Sequence, residues 1–156
     1  MSARVADGAI HGEATMSSGM DDATAAVRRW FQAFDDGDMQ AEAAARTADF
    51  AAHVPSVPEP LDGEGWRHFI GAFFGGFPDM RLVVEDIVAA GDRVAVRWTF
   101  HGTHQGEFLG IPPTGKQVAM AAIEINRVRD GKVAEHWVQL DQLGVLRQLG
   151  AIPSPS

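Results

Sequence analysis

Apolar side chains recur at two different periods along this chain, and the change falls near Pro78. Before it, Val27, Trp30, Phe31 and Phe34 follow the 3.6-residue spacing of a one-faced helix, which Asp21 or Asp22 can cap and Asp36-Gly37-Asp38 ends. A second, mostly alanine stretch from Met39 to about Arg46 predicts a short helix, and Asp49 to Val54 a short extended segment. Pro55, Pro58 and Pro60 then force a loop. From Leu61 to Phe74, after Gly63, the spacing of Trp66, Phe69, Ile70, Phe73 and Phe74 predicts a third helix that Gly75-Gly76-Phe77-Pro78-Asp79 closes. Beyond Pro78 the texture becomes β-branched: Leu82–Val84, Val94–Trp98, Val118–Val128 and Val133–Leu140 read as strands. Helices first and an antiparallel sheet afterwards is the α+β order.

Two dipeptides, Gly91-Asp92 and Asp130-Gly131, have the chemistry of two-residue hairpin loops, and the second is the strongest turn signal in the chain. A regular ladder from Asp130-Gly131 pairs Asn126 with Glu135, Glu124 with Trp137 and Ala122 with Gln139. Side chains alternate, so this register gathers Glu124, Asn126, Glu135, Trp137, Gln139 and Asp141 on one face. Ile123, Ile125, His136, Val138 and Leu140 fall on the other. The first face mixes an indole with polar groups, as a ligand cavity does, and the second is apolar enough for a core or a subunit contact.

Residues 1–20 are rich in Gly, Ala and Ser, with Met16 and Met20 as alternative starts, and show no sustained period; they are expected to form a mobile tail. A single domain over 21–150 and a short tail over 151–156 complete the expected organisation. Composition is that of a globular protein, 46% hydrophobic and 22% charged, and 156 residues suffice for one core with a pocket inside it. The net charge of −8 comes without a basic stripe, which argues against nucleic acid or an anionic membrane as partner. With no cysteine, disulfides, thiolate nucleophiles and Cys-ligated metals are excluded. The opening Met1-Ser2-Ala3-Arg4 leads into polar residues rather than an apolar signal core, so a cytoplasmic location is expected. There is also no tyrosine, so a phenol cannot serve as oxyanion donor.

Among residues that could carry chemistry, Asp141 stands at the end of the last predicted strand. It suits a desolvated general acid or base, or equally a cap on the helix that Gln142–Leu149 would form. Glu124, opposite Trp137 in the regular ladder, could join an acid–base pair, and Asn126 and Gln139 could donate amide hydrogen bonds to an oxyanion. His136 alternates away from Asp141 unless a bulge between His136 and Asp141 turns it inward, and no glycine marks one there. His53 precedes the Pro55–Pro58 loop, where pocket and surface roles are both open. The six histidines lack the spacing of a zinc protease, so no metal is expected. Trp98 and Trp137 offer flat apolar surfaces. Phe108 opens a Pro/Gly loop running to Gly115 that could gate a pocket or serve as a packed connector.

The run Gly102-Thr103-His104-Gln105-Gly106-Glu107-Phe108-Leu109-Gly110-Ile111-Pro112-Pro113-Thr114-Gly115, with Asp130-Gly131-Lys132-Val133-Ala134-Glu135-His136-Trp137 and Asp141-Gln142-Leu143-Gly144, resembles the SnoaL-like polyketide cyclase (ester cyclase) family from about Asp22 to Gly150. The resemblance implies a nuclear transport factor 2-like cone, a curved antiparallel sheet and helices around a pocket, in dimers or tetramers. It also implies cofactor-free intramolecular aldol ring closure of a polyketide-like small molecule. By position it carries the catalytic aspartate over to Asp141, with Trp137, Gln139 and His136 as neighbours that position substrate. A hydroxylating relative, or a cone that binds a small molecule without reacting, are the alternatives.

Overall fold

The structure, a computed structural model, describes residues 10–156. Helix α1 (Ile10–Asp35) starts well before Asp21, so residues 10–20, expected as tail, are helical; residues 1–9 lie outside the described residues. Its buried side is Ala23, Ala26, Val27, Trp30, Phe31 and Phe34, the 3.6-residue face read from the sequence. Each large member of that face stabilises the fold by roughly 1.5–3 kcal/mol through burial. Helix α2 (Met39–Ala44) follows, with the Asp38 carboxylate accepting from the Ala41 amide at 2.9 Å as its cap. Strand β1 (Arg46–His53) and helix α3 (Gly63–Gly76), capped by Asp62 through the Gly65 amide, complete the N-terminal half.

One buried carboxylate fastens these pieces together. Glu42 of α2 accepts the indole N–H of Trp30 (2.8 Å) and of Trp66 (3.0 Å) on one oxygen and is gripped by Arg46 on both. So deep a carboxylate is tolerable because both its oxygens accept hydrogen bonds and a guanidinium faces it.

The sheet comprises β1 and the strands β2 (Arg81–Ala90), β3 (Arg93–Thr103), β4 (Gln117–Arg129) and β5 (Lys132–Leu140), in the order β1-β5-β4-β3-β2. Strands β2 to β5 form an antiparallel meander. The edge strand β1 departs from the all-antiparallel expectation and runs parallel to β5, because the chain crosses from the helical layer rather than turning in a hairpin. Helix α4 (Gln142–Gln148) closes the described fold. Its Gln148 side-chain amide pairs with both backbone groups of Ala119, at 2.7 and 2.8 Å, and so extends the β4 ladder beyond the end of β5.

Both two-residue loops form as expected. Asp130 and Gly131 each take positive φ (53° and 72°), the primed turn whose twist matches its strands. The register beyond the second turn nevertheless differs from a regular ladder. Ala134 is an extra residue between the pairs Val128↔Val133 and Arg127↔Glu135, and both Val133 and Ala134 turn their side chains into the core. Every later residue of β5 therefore changes face. Asn126 lies opposite His136, Ile125 opposite Trp137 and Glu124 opposite Val138. A second bulge at Glu85 adds to the bend of the sheet around the helices.

Candidate functional site

Between α1, α3 and the inner face of the sheet lies a narrow, open-mouthed cavity. Aromatic side chains make half of its wall: Trp30, Phe31 and Phe34 from α1, Trp66, Phe69 and Phe73 from α3, and Trp98 and Phe100 from β3. Of the lining side chains two are titratable, Glu124 of β4 and His136 of β5, brought together by the bulge at Ala134. Glu124 is 3% exposed and His136 1%.

The Glu124 carboxyl is held from both sides. Trp98 Nε1–H donates to Oε2 at 2.8 Å, and Asn126 Nδ2–H to Oε1 at 2.6 Å. Burial disfavours the ionised form and pushes its pKa up to about 7, while the two hydrogen bonds pull the other way. His136 presents Nδ1 to Asn126 Oδ1 at 2.8 Å and sits edge-on to the rings of Trp30 and Trp66, with centroids 5.1 and 5.0 Å away. Burial, and then the charge of His53, push its pKa down to about 3, so the ring is neutral over the physiological range. Its Nε2 has no hydrogen-bond partner among the described residues. The cavity wall thus holds a buried carboxyl with raised proton affinity and, beside it, a buried imidazole whose Nε2 has no partner among the described residues, in otherwise apolar surroundings.

Several expected site residues stand elsewhere. Asp141 is exposed and caps α4, its Oδ1 accepting the Gly144 amide at 2.9 Å; strand alternation after the inward Leu140 turns it away from the cavity. Trp137, Gln139 and Glu135 lie on the outer face of the sheet for the reason already given, the bulge. His53 is there too, stacked on Trp137 with centroids 5.2 Å apart and bonded through Nε2 to Glu135 at 3.0 Å. Phe108 is buried against Phe73 and Phe77 as a packed connector rather than a gate. His136, expected to point away, points in. Glu124 and Trp98 line the cavity as expected, whereas Asn126 spends its amide on Glu124 and His136 rather than facing an oxyanion. The aromatic faces of α1 and α3, read from the sequence as core, are cavity wall as well. Among the described residues no group of three or more His, Cys, Asp or Glu could hold a metal ion.

Comparison with known proteins places this geometry in context. Residues 6–149 match the family profile described as SnoaL-like polyketide cyclase. The aklanonic acid methyl ester cyclase DnrD of Streptomyces peucetius is 37% identical over 60 residues, 38% of this chain and 41% of that protein. The match thus spans about two fifths of the length of that curated relative. Among solved structures, AclR, a candidate hydroxylase from Streptomyces galilaeus, superposes with a TM-score of 0.81 at 31% identity, covering 88% of this chain and 86% of that one. IdmH, a candidate polyketide cyclase from Streptomyces antibioticus, superposes with a TM-score of 0.74 at 36% identity, covering 82% and 98%.

Proposed function

The chain belongs to the SnoaL-like polyketide cyclase family, and from that premise we propose that it closes a ring in a polyketide-like substrate by intramolecular aldol addition, with Glu124 as the proton carrier. The observation that carries this reading is the burial of Glu124 in an aromatic cavity, linked through Asn126 to a neutral His136. A hydrogen flanked by two carbonyl groups is acidic enough for a carboxylate to remove. The resulting enolate carbon attacks a second carbonyl of the same molecule, a C–C bond forms, and the new alkoxide recovers the proton from Glu124. Atoms balance as an isomerisation, and no oxidant or reductant enters. A carboxyl with a pKa of about 7 suits both halves of the cycle, because neither ionisation nor protonation is expensive at neutral pH. The flat rings of Trp30, Trp66 and Trp98 would hold a planar substrate and keep water out.

As partner we assign a second copy of this chain, docked on the outer face of the sheet, and as location the cytoplasm, where a protein without cysteine has no need of oxidising conditions. The register sets Val88, Ala95, Ile125 and Trp137 in one row across four strands, with Ile123 beside it. Ile123 is 57% exposed and Ile125 42%. Arg93, Arg97 and Arg127 share this face with Glu85, Asp86 and Glu135, so a two-fold axis through the apolar row could set opposite charges against one another. No helix among the described residues is long and apolar enough to cross a membrane.

The test is turnover of aklanonic acid methyl ester, the compound in the name of DnrD, followed by liquid chromatography and mass spectrometry. A product of unchanged mass and altered retention supports ring closure, and Glu124→Gln should slow its formation at least about a hundredfold. Wild-type rate in that variant would end the proposed role of Glu124. The likeness to AclR favours a second reading, oxygenation of the same kind of molecule, which a product heavier by one oxygen would support.

A further inference from the structure

We infer that Asn126 is a positioning residue that fixes the polarity of the cavity, locking His136 as a hydrogen-bond acceptor, so that the cavity selects ligands carrying an enol or phenol hydroxyl. The inference rests on the cavity being the working site of the proposed function, and is independent of whether ring closure is the reaction. Asn126 is fully buried on β4, two residues from Glu124 on the same face and opposite His136 in the ladder. Its amide has two unlike ends. One stands 2.6 Å from a Glu124 oxygen, where a carboxylate accepts an N–H and repels a carbonyl. While Glu124 is ionised the carbonyl end must therefore face His136, and at 2.8 Å it needs Nδ1–H. A neutral imidazole has one N–H, so Nε2 is left with a lone pair.

The remaining donors of the wall are already engaged. The indole N–H groups of Trp30 and Trp66 are both given to Glu42, and that of Trp98 to Glu124 itself. The other lining side chains are hydrocarbon or thioether. With Glu124 ionised, the lining side chains offer two acceptors and no free donor. A ketone or ether placed against His136 Nε2 leaves that nitrogen unpaired, whereas a hydroxyl satisfies it. Failure to pair a buried polar group is the larger penalty in such a site.

The test combines a ligand pair with a spectroscopic readout, at roughly pH 8, where Glu124 is mostly ionised and 2-naphthol mostly neutral. Calorimetric titration should show 2-naphthol binding at least about tenfold tighter than 2-methoxynaphthalene. Nitrogen-15 spectra of histidine-labelled protein should show His136, assigned by its loss in His136→Gln, protonated at Nδ1 and pyridine-like at Nε2. Asn126→Leu should lose both the hydroxyl preference and the single tautomer. Asn126→Asp, which still accepts from Nδ1–H and guards against a leucine variant that fails to fold, should keep the tautomer. A wild-type His136 protonated at Nε2, or equal binding of the two naphthalenes, overturns the inference. If neither naphthalene binds, the tautomer decides in the same sense. Loss of turnover with the tautomer and preference intact would count against ring closure alone.

Discussion

The raised pKa of Glu124 makes a stability prediction that needs no substrate. A carboxyl whose folded pKa lies above its ordinary value binds protons more tightly in the native state than in the unfolded chain, so folding loses stability as pH rises from about 4.5 to about 7. At 1.36 kcal/mol for each pH unit over that window, the loss amounts to about 3 kcal/mol. His136 acts in the opposite sense. Its depressed pKa means the unfolded chain takes up the proton first, so stability falls as pH drops from 6.5 toward about 3. The two effects oppose one another between 4.5 and 6.5, and a wild-type curve alone would blur them. The difference between wild type and Glu124→Gln removes the His136 contribution. The glutamine of that variant cannot ionise, and its amide rearranges the hydrogen bonds given by Trp98 and Asn126, an effect that does not vary with pH over this range. Urea unfolding of both proteins at several pH values should therefore show the difference shifting by about 3 kcal/mol in favour of the variant between about pH 4.5 and 8. A difference that stays constant across this range would refute the burial of an ionisable carboxyl at position 124.

Three further outcomes follow from particular contacts. Asp141→Ala removes the cap of α4 and should cost about 1 kcal/mol in chemical denaturation while turnover persists; a folded variant without turnover would return Asp141 to the chemistry. Ile125→Glu places a charge in the middle of the outer apolar row and should reduce the light-scattering mass from dimer to monomer, with the circular dichroism spectrum intact. An unchanged dimer would move the interface elsewhere. Glu42→Ala strips two indole N–H groups and Arg46 of their common acceptor and should cost about 3–5 kcal/mol, with altered tryptophan emission; a loss below about 1 kcal/mol would show the network to be dispensable.

Which face of β5 lines the cavity turns on one alanine. The Asp130-Gly131 turn was legible because an Asp-Gly pair between two β-branched runs has few alternatives. Counting outward from it gives a definite register, and that count fails at Ala134. A bulge needs no glycine, and its visible trace, the adjacent apolar pair Val133-Ala134, is too slight to distinguish from ordinary strand composition. One inserted residue sends Trp137 and Gln139 outside and His136 in. The dual character of Asp141, base or cap, had the same origin. A carboxylate at a strand-to-helix junction satisfies both patterns, and only the direction of its side chain separates them.

Whatever depends on neighbours a few residues apart could be read before any coordinates: the helical faces of Val27–Phe34 and Trp66–Phe73, both hairpin loops, the α+β order and the family motifs between Gly102 and Gly144. The faces, the loops and the order rest on local periodicity and backbone preference, which act before any tertiary contact forms, while the motifs carry a family resemblance. Which buried polar groups meet was decided only by the tertiary structure. Glu42 with two indoles, and Glu124 with Asn126 and His136, depend on register, on a parallel edge strand and on helices laid across the sheet, and no short-range pattern encodes such distances. The altered pKa values of Glu124 and His136 belong to the same class, because desolvation is set by everything packed around a group and not by the residues beside it in the chain.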